Sequence, residues 1–159
     1  FGTVDVLVDI AGTTIFRSFM ESTVSDMDKL YNVNLRGAFL CSKAVLPHML
    51  DRGAGTIVMI NSMAADHVFK DSSVYSATKS GLQALANGMR LEMRSKGIRV
   101  ITVYPGATNT PIWPEPVLVK HSGKMMAPGN VAETIYYAVS APENVMVENI
   151  SVQPIGGGL

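Results

Sequence analysis

Three side chains in this sequence have the types and spacing to move a proton at an oxygen atom: Ser62, Tyr75 and Lys79. Tyr75 and Lys79 are four residues apart at the start of a predicted helix, where positions i and i+4 share a face. A tyrosine hydroxyl is a poor acid or base near neutrality, with a reference pKa of about 10. A neighbouring ammonium favours the phenolate and moves that value towards neutrality, and a serine hydroxyl can orient the reacting oxygen. Together they suit proton transfer to or from a carbonyl or alcohol oxygen while a hydride moves elsewhere. Alone, a Tyr-x-x-x-Lys pair is more often a half-buried tyrosine beside a lysine whose stem lies along the surface.

Strands alternating with helices position these residues. Residues 4–10, 56–60, 98–104 and 145–152 are apolar enough to be buried strands. Helices are predicted over 25–50, 74–96 and 130–140. The first is capped by Ser25 with Asp28 reaching back and is perturbed near its end by Pro47; the second is closed by Gly97; the third starts in a capping box at Asn130 and Glu133. The Pro-rich stretch 110–128 is expected to be an irregular lid. Such alternation implies parallel pairing, with helices on both faces of one sheet. Ligands then sit beyond the carboxyl ends of the strands, at Asp9 to Gly12, Asn61 to Ala64 and Tyr104 to Thr110.

Composition narrows the class. Across 159 residues, 13 basic residues balance 13 acidic ones and 47% are hydrophobic, which describes one globular domain over 1–159 and not a disordered chain. A net charge of zero argues against a nucleic-acid partner. No apolar run reaches the roughly 20 residues of a membrane span. A single Cys excludes an internal disulfide and fits a reducing, cytoplasmic setting. The chain opens at Phe1 and enters a strand almost at once, with no leader expected.

The surroundings of Tyr75 resemble the short-chain dehydrogenase/reductase family, classical type. Tyr75-Ser76-Ala77-Thr78-Lys79-Ser80-Gly81 looks like the start of its active-site helix, and Ser62 stands 13 residues before Tyr75, as its catalytic serine does. Asn34, in Asn32-Val33-Asn34-Leu35-Arg36-Gly37, matches the asparagine that completes the tetrad. Pro105-Gly106 with Thr110 matches the segment bordering the nicotinamide, and Ala11-Gly12 ends the motif after the family's fourth strand. The resemblance implies a Rossmann-like three-layer parallel α/β sheet and an NAD- or NADP-dependent oxidoreductase acting on a small-molecule secondary alcohol or ketone. In it, Tyr75 is general acid and base, Lys79 lowers the tyrosine's pKa and binds the nicotinamide ribose, Ser62 holds the substrate oxygen, and Asn34 positions Lys79 through water. Ala11, Gly12, Pro105, Gly106 and Thr110 join Tyr75 and Lys79 in holding the cofactor. Ser62, Ala64, His67 and Trp113 border the substrate pocket, although Trp113 is equally readable as a packed anchor of the lid.

Two departures accompany the resemblance. The family usually has two asparagines before Ala-Gly, whereas here the pair is Asp9-Ile10, and an ionised Asp9 only accepts hydrogen bonds. The Gly-rich strand–turn–helix that cradles the dinucleotide phosphates is not found, so the N-terminal βαβ units are expected to be missing. On that expectation the chain is part of a longer enzyme, an incomplete product, or a short relative whose exposed sheet edge pairs with another subunit. The competing function is a catalytically inactive, self-associating module without dinucleotide binding. A homodimer or homotetramer is expected through helices 25–50 and 74–96, with Leu30, Ala38 and Met89 as contributors. His48 is expected on a helix surface and Cys41 at a buried or interface position. His48, His67 and His121 are too scattered for a metal site.

Overall fold

In the computed structural model, which describes residues 2–158, four strands form one sheet: β1 (Val6–Asp9), β2 (Gly55–Ile60), β3 (Ile98–Pro105) and β4 (Asn149–Val152). They lie side by side in sequence order and every pairing is parallel. Side-chain alternation divides their residues between two helix layers. Leu7, Ile57, Met59, Ile98 and Val100 pack under α2 (Gly37–Arg52) and α3 (Ser73–Met93). Val8, Val58, Ile101 and Val103 face α5 (Pro128–Val139) on the other side. Each large side chain buried there contributes about 1.5–3 kcal/mol. The strand order advances one way while the covering helix changes face, so the β3–β4 crossover has the opposite hand to the first two.

The expectation that the N-terminal βαβ units are missing is corrected here. From Val6 onward the parallel arrangement is in place. β1, the long helix after it and β2 make a βαβ unit, with Val6, Leu7, Val8 and Asp9 in register with Thr56, Ile57, Val58 and Met59. A parallel strand needs a paired neighbour and a covering helix, and β2 and α2 supply both. Arg52 at the end of α2 adds an ion pair to Asp5 at 2.7 Å. Phe1 lies outside the described residues.

The first helix is a composite rod: α1 (Val24–Tyr31), a five-residue π segment (Asn32–Arg36) and α2. It opens at Thr23, not Ser25. The Thr23 hydroxyl accepts from Asp26 N at 3.1 Å, and the Asp26 carboxylate accepts from Thr23 N at 2.9 Å. Arg17 also binds Asp26. Pro47 does not stop α2, which runs on to Arg52 and ends on left-handed Gly53. Gly97 closes the helical run after α3, also left-handed at φ 76°. The third helix starts at Pro128, two residues ahead of the predicted capping box, with Asn130 Oδ1 accepting from Ala127 N at 2.9 Å. The expected lid contains a short helix, α4 (Glu115–His121). β4 is confined to four residues because 145–148 stay outside the ladder.

Leu30 and Ala38 point into the core, and Met89 packs against it, so none of the three is on an outer face. Cys41 is exposed in this chain, because the buried stripe of α2 passes through Ala38, Ser42, Leu46 and Met49. No helix among the described residues is long and apolar enough to cross a membrane.

Candidate active site

The site lies at the carboxyl ends of β1, β2 and β3, where the chain leaves the sheet and its turns expose backbone groups. Ser62 follows β2 in extended conformation and caps the 3-10 turn Met63–Ala65, its hydroxyl accepting from Ala64 N at 3.1 Å. Tyr75 is the third residue of α3, and Lys79 stands one turn later on the same face. Both are buried, Lys79 to 3% exposure. Ala64 and Leu30 pack against the Tyr75 ring, with Ile15 and Val74 around them. Ala64 thus forms the floor beneath the phenol.

Burial pushes the Tyr75 phenol above its ordinary range, and its hydrogen bond with Ser62 pulls the other way. In this chain Tyr75 therefore carries its proton at neutral pH, ready to act as an acid. Burial thus acts against the fall towards neutrality expected from Lys79. Lys79 itself is lowered to about 8 by burial, opposed by the carboxylate of Asp9. Its Nζ donates to the Ile60 carbonyl at 2.9 Å, leaving two of its three N–H donors for other acceptors.

Asn34 sits in the π segment, a helical irregularity common at functional sites. Its Nδ2 donates to Thr13 O at 2.9 Å and to Thr78 Oγ1 at 3.1 Å, while its Oδ1 accepts from Thr13 N at 2.8 Å. It thereby ties the loop after β1 to the helix that carries Tyr75 and Lys79. Ala11 and Gly12 begin that loop, and a Cβ built on Gly12 would stand 3.7 Å from Lys79 Nζ. Across the sheet, Gly106 N donates to Val152 O at 2.8 Å. A Cβ at Gly106 would crowd Gln153 and Pro154 at 3.2 Å, so glycine follows Pro105 for space. Thr110 accepts from Trp113 N at 3.3 Å.

Trp113 is anchored: its Nε1 donates to Thr108 O at 3.0 Å, and its ring stacks on Phe16 at 5.5 Å. Phe16 in turn meets Phe69 at 5.9 Å. These rings join the loops after β1, β2 and β3. Sequence reasoning passed over Phe16 and Phe69, because isolated aromatics in polar loops carry no periodic signal. It also passed over Thr13, whereas Asn61 opens one of the strand-end segments it named. The amide of Asn61 accepts from Ser62 N at 3.0 Å, while its Nδ2 is buried without a partner. His67, on the loop after β2, is exposed. No His/Cys/acid cluster able to hold a metal occurs among the described residues.

The model of the short chain dehydrogenase family matches residues 1–117. An uncharacterized oxidoreductase of Staphylococcus aureus is 30% identical over 155 residues, covering 98% of this chain and 66% of its own length. The structure of ElxO with NADP bound superposes with a TM-score of 0.86 at 27% identity, over 97% of this chain and 67% of that one. The closed form of serine dehydrogenase complexed with NADP+ gives 0.92 over 99% of this chain and 67% of that one; at 22% identity it shows the fold alone. Superposition over nearly the whole chain includes the N-terminal strand, in agreement with the corrected sheet. The chain spans 66% of the length of the first curated relative it matches. By the family match over residues 1–117, this chain belongs to the short chain dehydrogenase family.

Proposed function

We propose that the protein interconverts a small secondary alcohol and a ketone by hydride transfer, with Tyr75 as its general acid and base. The observation that carries this reading is the convergence of Ser62, Tyr75 and the buried Lys79 at the carboxyl ends of the strands. A lysine ammonium is costly to bury unless it is used or paired. The site's donors suit a nicotinamide dinucleotide. Lys79 keeps two N–H groups for ribose hydroxyls, and Asn61 Nδ2 and Thr14 Oγ1 nearby are buried without partners. A bound nicotinamide supplies or accepts the hydride.

In the reducing direction Ser62 orients the ketone oxygen and Tyr75 gives it the phenolic proton. The Lys79 ammonium stabilises the phenolate left behind, and the Asn34 amide keeps the loop at 11–14 in place. Oxidation runs the same proton back to Tyr75. Ala11, Gly12, Pro105, Gly106 and Thr110 are assigned to the cofactor, and Ala64, His67 and Trp113 to the substrate side. The binding of NADP by ElxO supports a dinucleotide here without choosing between NAD and NADP. We assign the protein to the cytoplasm, in keeping with its lone cysteine. A homo-oligomer through the long helices is supported by the apolar face of Tyr31, Leu35, Phe39 and Leu85, where Tyr31 and Phe39 are each 46% exposed.

Fluorescence titration with NADH and NADPH tests the reading. Saturable binding, with a Tyr75→Phe variant that loses turnover but keeps cofactor affinity, is the expected result. A folded protein that binds neither cofactor, or a Tyr75→Phe variant with normal turnover, would overturn it.

A further inference from the structure

Asp9 takes no part in the proton transfer described above, yet the sheet places it beside Lys79. Its register partner is Met59, and paired positions of neighbouring strands point to the same face. Met59 packs beneath α2 and α3. Asp9 therefore faces that same helix layer, two residues beyond Leu7 towards the carboxyl edge. Lys79 reaches the same edge from α3, its Nζ bound to the carbonyl of Ile60, the residue after Met59. The site of a Cβ on Gly12, three residues past Asp9, is 3.7 Å from that nitrogen.

We propose that Asp9 is a positioning residue of this site, the fixed counter-charge that holds the Lys79 ammonium at the carboxyl ends of β1 and β2. The inference rests on the proton-transfer reading only where the ammonium acts on Tyr75. The other groups around Lys79 do not substitute for it. α3 contributes Tyr75, which carries its proton; the π segment contributes the neutral Asn34; β2 and its following turn contribute the Ile60 carbonyl and the Ser62 hydroxyl. Arg17, in the loop after β1, is bound to Asp26, and Asp66 accepts from Gln83 at 3.0 Å.

The electrostatics agree with this geometry. Burial lowers Lys79 and Asp9 raises it. Burial raises Asp9, while the Ala11 N–H at 3.3 Å and the Lys79 charge lower it. A carboxylate beside the ammonium favours its charged form in a place that strips it of water. The same charge opposes loss of the Tyr75 proton.

The test is Asp9→Asn in the full protein, which removes the charge and keeps an acceptor for Ala11 N–H. Carbon-13 NMR of the lysine ε-carbons, with Lys79 assigned by its loss in Lys79→Met, follows the ammonium directly. The midpoint for Lys79, about 8 in the parent protein, is expected to shift downward. The alkaline decline of ketone reduction should shift downward with it, and Asp9→Glu should return both towards the parent. An unmoved Lys79 midpoint in folded Asp9→Asn would overturn the proposal. Should that variant fail to fold, Asp9→Ser removes the same charge and is read against the same two outcomes. A parent protein without turnover would defeat the enzymatic reading, yet the lysine titration would still decide the pair.

Discussion

Asn34 grips Thr13 through both ends of its amide: Oδ1 accepts from the Thr13 N–H at 2.8 Å, and Nδ2 donates to the Thr13 carbonyl at 2.9 Å. A side chain that satisfies both backbone groups of a residue 21 positions away acts as a strand would. It holds the loop after β1 against the helix layer, and Thr78 joins the same amide at 3.1 Å.

Removal of that amide should therefore loosen a loop and not merely a helix. Asn34→Ala leaves buried polar groups unpaired and is expected to destabilise the protein by about 2–3 kcal/mol. Urea unfolding would show a lower midpoint with little change in slope. Asn34→Asp keeps the acceptor and loses the donor, so its midpoint should fall between the two. An Asn34→Ala variant with the parent's midpoint would show that the clamp contributes nothing.

Lys79 gives stability a pH dependence whose sign is set by burial. Its pKa in the folded chain is about 8, against 10.5 for the ordinary side chain. Between those values the unfolded chain binds more protons, so stability rises with pH. The cost of keeping the buried ammonium is present in full below pH 8, on the order of 3 kcal/mol. It is relieved as pH climbs from 8 towards 10.5. Thermal or urea unfolding between pH 8 and 9.5, below the ordinary tyrosine value of 10.0, should show that rise. Lys79→Met should remove it, and a slope that survives in the variant would assign it to another group.

Gly97 is required for two reasons at once. Its φ of 76° is left-handed, and a Cβ built on it would stand 2.0 Å from the Gly53 carbonyl oxygen. The neighbour is backbone and cannot swing aside. Gly97→Ala is expected to cost more than about 2 kcal/mol and to lower the melting temperature by several degrees. Gly88→Ala within α3, where nothing lies within 4 Å of the added Cβ, should be neutral or stabilising by up to about 1 kcal/mol. Equal melting temperatures for the two variants would refute the steric account.

Local chemistry made much of this protein readable from its residues. Apolar runs that alternate with amphipathic stretches announced a parallel α/β sheet. The i, i+4 spacing put Tyr75 and Lys79 on one helix face, and Gly97 marked where their helix ends, because only glycine takes a left-handed turn at no steric cost. What depends on distant partners was not readable in the same way. The first helix is capped by Thr23 and Asp26, not by Ser25 and Asp28, and Asp26 is also bound by the distant Arg17. The π segment around Asn34 answers to Thr13 and Thr78, and the stack of Phe16, Phe69 and Trp113 joins three loops with no common spacing. Even the net effect on the Tyr75 proton turned on how much water the fold removes. Residue identity determined which side chains can exchange a proton or carry a charge. Only strand register and burial decided that Asp9 and Lys79 share one edge of the sheet, since pairing between strands brings together residues that no local pattern connects.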